Sequence, residues 1–178
     1  MSLESYCSQE SRFLGKSGTL RRLAVNKKTA KQILERIAEE LKGIQHDLSS
    51  KTNRVEVAMT RKSSIFFFDG KPLFIERKNR IVPSLINEDV ISQLPTIVVD
   101  QGAVPFVCNG ADIMAPGLRR IEGKFSVGQL VVVREERFHK ALAVGSALTG
   151  SDEMGIQSGG RVVENIHFIG DDAWQEGL

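Results

Sequence analysis

Val99-Asp100-Gln101-Gly102-Ala103-Val104-Pro105-Phe106-Val107-Cys108-Asn109-Gly110-Ala111-Asp112-Ile113-Met114-Ala115-Pro116-Gly117-Leu118 is the stretch on which the reading of this chain turns. It leaves a β-branched run, bends at Asp100 to Gly102, and carries small residues from Gly110 until Pro116-Gly117 stops it. The pattern predicts a strand over 96–99, a second β-branched run over 104–108 and a short helix over 110–115. Further runs at 130–133, 141–147 and 161–169 are punctuated by glycine, with a short turn of helix over 151–154. Spacing of this kind predicts a small barrel.

Upstream the texture differs. From Asn26, a good N-cap residue, Ala30, Ile33, Leu34, Ile37, Ala38 and Leu41 fall on one helical stripe that Gly43 ends. Residues 12–14 are compatible with a short strand, and 54–59 alternate like a half-buried one. Residues 65–68 and 73–75 flank Asp69-Gly70, a favoured tight-turn pair, and so spell a hairpin. Three consecutive phenylalanines, Phe66 to Phe68, put at least one ring on the face away from the first core. That face is either covered or an aromatic patch, and covered is the expectation. After Pro83-Ser84 a short helical pattern runs through Leu85, Ile86, Val90 and Ile91, and Pro95 marks a junction. The expected domains are residues 1–92 and 93–178.

The chain has 178 residues, 41% apolar and 26% charged, which excludes a disordered tail, a collagen-like rod and a membrane-embedded protein. A barrel enzyme of about 250 residues does not fit this length. No stretch without a charge is longer than 101–111, which is broken by Gly and Pro and falls short of the roughly 20 apolar residues of a bilayer span. The first residues carry acids and hydroxyls where a secretory signal needs a basic start and an apolar run, so the protein is expected to be cytoplasmic, with no membrane partner. Cys7 and Cys108 are too few and too far apart for a disulfide framework or a zinc site. The net charge of +2 conceals an asymmetry: residues 1–92 hold 17 Lys+Arg against 11 Asp+Glu, and residues 93–178 hold 7 against 11. A basic domain approaches phosphates by counterion release, although such an excess is often only a solvated face.

No motif assigns chemistry. Gly15-Lys16-Ser17 resembles the end of a phosphate-binding loop, but Glu10 stands where that motif needs glycine. His46, His139 and His167 are too scattered for a metal site. The adjacent acids Glu135-Glu136, Asp152-Glu153 and Asp171-Asp172 are expected to be solvated charges beside turns rather than an acid/base pair. No catalytic residue, metal or cofactor is expected. Trp174 either stacks on a nucleobase or closes the core as a lid, and the lid is favoured.

The strand, glycine turn, small-residue segment and Pro-Gly stop of 99–118 resemble the opening of a PUA domain. The resemblance continues through Gly-Gln-Leu-Val-Val-Val from Gly128, Ala-Val-Gly ending at Gly145, and Glu164-Asn165-Ile166-His167-Phe168 ahead of Trp174. With the basic first half, and with Arg12-Phe13-Leu14, the helix, the Asp69-Gly70 hairpin and Pro83-Ser84-Leu85, the whole is similar to the archaeal and eukaryotic family of the malignant-T-cell-amplified translation protein. The resemblance implies a two-domain α+β protein, a small α/β pre-PUA domain followed by a PUA β pseudobarrel. It also implies a non-catalytic RNA-binding factor in translation, contacting structured RNA (rRNA or tRNA) and the small ribosomal subunit, beside another translation factor in eukaryotes.

On that reading the PUA cleft would use Gly110, Ala111, Asp112, Met114, Ala115, Gly117, Arg119, Lys124 and Arg161. Gly110, Ala111 and Gly117 lack bulk, so backbone can approach a sugar-phosphate chain, or else they only pack a helix across a barrel end. Because the PUA half is net acidic, the basic half would supply the salt-dependent part through Arg54, Arg61, Lys62, Lys71, Arg77, Lys78 and Arg80. The alternatives are a protein-interaction adaptor that docks a translation factor through its apolar hairpin, and an accessory subunit of an RNA-modifying enzyme.

Overall fold

The computed structural model describes residues 21–44, Leu48, Thr52 and 54–177. Expectations for Cys7, 12–14, Gly15-Lys16-Ser17 and His46 lie outside the described residues. No helix among the described residues is long and apolar enough to cross a membrane.

The first half is built on β1 (Arg22–Ala24), α1 (Lys27–Glu40), β2 (Val55–Met59), β3 (Ser64–Phe68), β4 (Lys71–Arg77) and β5 (Arg80–Pro83). The strands form one antiparallel sheet in chain order. The Asn26 side chain caps α1 by accepting the Thr29 N–H at 2.9 Å, and Gly43 closes the helix end at φ +87°. The apolar stripe seats Ile33, Ile37 and Leu41 in the core, with α1 against β5. Asp69 and Gly70 both adopt positive φ, as the tight hairpin turn requires.

A second hairpin follows that the sequence did not announce. Lys78 and Asn79 take φ +52° and +60°, turning β4 into β5 without a glycine. All three rings of Phe66, Phe67 and Phe68 are buried, so the covered face is the one observed. The cover comes partly from the second half. The same core cluster takes in Leu130, Val132, Val144, Ile166 and Ala173, with Trp174 packed against it. The tryptophan is therefore a lid, and the core it closes is the first one.

After α2 (Glu88–Ile91) come β6 (Thr96–Val99), α3 (Val104–Val107), β7 (Ile113–Met114), a 3₁₀ turn Ala115–Gly117, β8 (Leu118–Glu122), β9 (Leu130–Glu135), β10 (Ala141–Ala147), α4 (Ser151–Met154), β11 (Arg161–Phe168) and α5 (Asp172–Gly177). The sheet order is β7-β11-β10-β9-β6-β8, with β6 and β9 parallel and the other pairs antiparallel. Its two edge strands, β7 and β8, are separated in sequence only by the 3₁₀ turn, which curls the sheet into a pseudobarrel around Ile97, Val99, Val131, Val133, Ala143 and Val163. Gly145 lies where β10 shifts register on β11, and a Cβ there would stand 2.4 Å from the Glu164 carbonyl oxygen.

Two expectations in the deciding stretch are corrected. Residues 104–107 form a helix rather than a strand, and 110–112 are a loop leading into a strand rather than a helix. Pro105 lacks an N–H and so suits the first turn of a helix. The Asp100 carboxylate accepts the Ala103 N–H at 2.9 Å just ahead of that turn.

Candidate nucleic-acid interface

The two halves meet along a polar joint. Arg77, at the end of β4, donates from Nη1 to Asp171 Oδ2 at 2.8 Å and from Nη2 to Asp172 Oδ1 at 3.0 Å. Asp171 also takes the backbone N–H of Phe168 and of Trp174 and faces His167 Nδ1 at 2.9 Å. Leu85 N–H donates to His167 Nε2 at 3.3 Å, so the ring proton sits on Nδ1 and points at Asp171. Burial works to raise the Asp171 carboxyl, but the His167 contact and the two backbone donors outweigh it and hold it below the ordinary carboxylate range.

Three candidate cations of the first half are engaged here. Besides Arg77, Lys78 reaches Glu164 Oε1 at 2.9 Å and the Asn165 carbonyl at 3.1 Å, a reach set by its left-handed turn. Arg80 binds Glu40 and donates to Ser146 Oγ at 3.3 Å and to the Gly128 carbonyl at 3.2 Å. Their charge is answered inside the molecule.

Arg61 and Lys62 differ. They are exposed in the β2–β3 turn, and none of the ion pairs among the described residues includes them. Their turn is anchored to the second half, because the hydroxyls of Thr60 and Ser63 both bind Asp172. Arg54, exposed and paired with Glu56, and Lys71, also exposed, stand at the opposite end of the sheet beside Asp69-Gly70.

In the second half, Gly110, Ala111 and Asp112 form a single loop on β11. Asn165 Nδ2 donates to the carbonyls of Val107 and Ala111 at 3.0 Å each, and Asp112 accepts Asn165 N–H and pairs with Arg161 at 2.9 Å. Gly110 has φ +85°, and a Cβ there would lie 2.8 Å from the Phe168 ring, so close packing requires glycine at this position. Arg77 lies over the same ring at 5.8 Å. The joint therefore brings Arg61, Lys62, Arg77, Lys78, Gly110, Ala111, Asp112 and Arg161 onto linked elements.

Of the other candidates, some continue directly from that loop and the rest lie beyond it. Met114, 47% exposed, pairs with Arg161 across β7 and β11. Ala115 is buried, and Gly117 packs under Ala103. Arg119 pairs with Asp100 at 3.0 Å, and Lys124 with Asp152. Phe106, 67% exposed on α3, does not stand out in sequence, where the run around it reads as β-branched.

A family model for the PUA domain matches residues 95–169, and one for a domain of unknown function, DUF1947, matches residues 21–87. An uncharacterized protein of Methanocaldococcus jannaschii is 31% identical over 157 residues, covering 86% of this chain and 95% of its own. Translation machinery-associated protein 20 of Saccharomyces cerevisiae is 30% identical over 155 residues, covering 83% and 86%. The crystal structure of a hypothetical protein from Pyrococcus horikoshii is similar at TM-score 0.70 and 30% identity, covering 89% of this chain and all of that one. Agreement over both halves at this identity is that of one common architecture, and the chain belongs to the family of translation machinery-associated protein 20 and the malignant T-cell-amplified sequence proteins.

Proposed function

We propose that this protein is a non-catalytic, cytoplasmic RNA-binding factor of the translation machinery that contacts structured RNA, ribosomal or transfer, on the small ribosomal subunit. The observation that carries the reading is the β2–β3 turn: Arg61 and Lys62 are exposed and have no ion-pair partner among the described residues, and the Thr60 and Ser63 hydroxyls on either side of them tie the turn to Asp172 of the PUA half. Phosphate attracts unpaired surface cations, while the loop at Gly110 and Ala111, whose N–H groups bind the carbonyls of Val107 and Phe106, is packed on the Phe168 ring and so fixed in place on β11. Arg77, Lys78 and Arg80 serve this reading by holding the two halves in one orientation. The division at residues 92 and 93 is part of the same proposal.

The test is binding of the full chain to small subunits, transfer RNA and an unstructured RNA of equal length at several salt concentrations. Replacing Arg61 and Lys62 by Glu should weaken binding to structured RNA at least tenfold. It should also flatten the slope of log K against log salt by roughly 1.5 to 2, the share of two phosphate contacts. An unchanged slope would remove the turn from the interface.

A second reading, an adaptor that docks a translation factor, has one observation in its favour. Phe106 and Met114 are exposed on α3 and β7. The hairpin phenylalanines offer that adaptor nothing, since all three are buried. Protein association that survives the Arg61/Lys62 reversal while RNA binding is absent would favour it.

A further inference from the structure

The turn between β9 and β10 carries an arrangement that neither the joint nor the barrel core uses. Phe138 is 67% exposed, and the Arg137 guanidinium carbon lies 4.9 Å from its ring centroid. The turn beneath the ring is fixed. Glu135, buried, accepts the N–H of Arg137 at 2.7 Å, of Phe138 at 2.6 Å and of Lys140 at 3.3 Å, and the Gln101 amide at 2.9 Å. Desolvation works against this carboxylate, and the hydrogen bonds outweigh it, so Glu135 stays ionised and keeps the turn closed around it. His139 completes the turn at φ +59°.

A ring held out in water by a turn that is itself pinned is pre-ordered for a planar partner, because little conformational freedom remains to be lost on contact. The charges around it favour an anionic partner. Arg137 and Lys140 are exposed, and none of the ion pairs among the described residues includes either. The acids facing the turn already have cations: Glu122 has Arg120, and Glu136 has Arg119. The turn stands at the α3 end of the barrel. Gln101 binds it from just ahead of α3, and β10 leads from it to Ala143, opposite Phe168, whose ring packs on Gly110.

We propose that the β9–β10 turn binds one unpaired nucleotide: the base stacks on the free face of Phe138, and Arg137 and Lys140 take the flanking phosphates. The proposal rests on the RNA-binding reading and adds to it a contact for a splayed-out base, distinct from the phosphate contacts of the Arg61-Lys62 turn.

The probe is a single-stranded eight-nucleotide RNA carrying 2-aminopurine, titrated into the full-length protein, with small subunits bound in parallel. Stacking should quench the fluorescence. Phe138→Ala should abolish the quench and weaken the oligonucleotide roughly 5- to 100-fold, whereas Phe138→Tyr should retain both, and circular dichroism should be the same for all three. Equal affinity and quench for wild type and Phe138→Ala, with subunit binding intact, would overturn the stacking site and leave the RNA-binding reading standing. A wild type that binds neither oligonucleotide nor subunits would overturn both. If Phe138→Ala kept the RNA but lost a bound protein, the ring would be a protein anchor and the proposal would fall.

Discussion

Arg77→Ala offers the sharpest test of the joint. The Arg77 side chain is 12% exposed and bridges two carboxylates, one of which, Asp171, is 1% exposed. Removing one member of a buried ion pair typically costs about 3–5 kcal/mol, chiefly because the other charge is left without its partner. Asp171 keeps the His167 ring and two backbone donors after the change, and Asp172 is partly solvated, so the lower end, about 3 kcal/mol, is expected. At a urea m-value of about 2 kcal/mol/M, the unfolding midpoint should fall by roughly 1.5 M. Trp174 makes the assay local. It is the single tryptophan, and its backbone N–H is bound by Asp171 Oδ1 at 2.7 Å, so its fluorescence reports the joint while far-ultraviolet dichroism reports both sheets. The two signals should shift together because one core cluster spans both halves. A midpoint within 0.2 M of wild type, on a scale where about 1.5 M is expected, would refute the view that Arg77 holds the halves together.

Two further outcomes follow from particular atoms. Because the folded environment depresses the Asp171 carboxyl, its contribution is complete above its unfolded value, about 3.9, and is lost as pH falls below that through the lower folded value. The stability gap between wild type and Asp171→Asn should therefore be widest above about pH 5 and shrink below about pH 4 in urea titrations; a gap independent of pH would contradict the assignment. Gly145→Ala forces a Cβ to within 2.4 Å of backbone oxygen on β11, which must part the strands and cost about 3 kcal/mol or more, as thermal unfolding would show. A melting point like that of wild type would mean that β10 and β11 can separate freely.

Much of the fold is legible where local chemistry and tertiary environment agree. Asn26 and Gly43 bracket α1 as their types suggest, Asp69-Gly70 turns where expected, and residues 96–99 and 141–147 are uncharged, largely apolar runs that the barrel does bury. Reading failed where one residue type served two structures. Val104, Phe106 and Val107 have strand propensity, yet Pro105 and the Asp100 carboxylate start a helix there, and tertiary packing keeps it. The β4–β5 hairpin was missed because Lys78 and Asn79 tolerate the left-handed region only under constraint, here the contacts of Lys78 with Glu164 and Asn165. The chemical identity of the candidate cations was visible in sequence, but their partners were not. Arg77 meets Asp171 from 94 residues away and Lys78 meets Glu164 from 86, and no local window contains both ends of such a pair.

The inward pairing of Arg77 and Lys78 also bears on how this molecule meets its partner. Counted along the chain, the halves carry opposite net charge, but part of that opposition is neutralised at short range between them. Among the described residues, the cations that still face solvent without a carboxylate partner include Arg21, Lys27, Lys28, Lys42, Arg61, Lys62 and Lys71 of the first half and Arg137 and Lys140 of the second. Beyond a Debye length of about 8 Å at physiological ionic strength their field is screened, so a polyanion is guided only over the last stretch of its approach. Discrimination among RNAs would then rest on how long each remains once in contact.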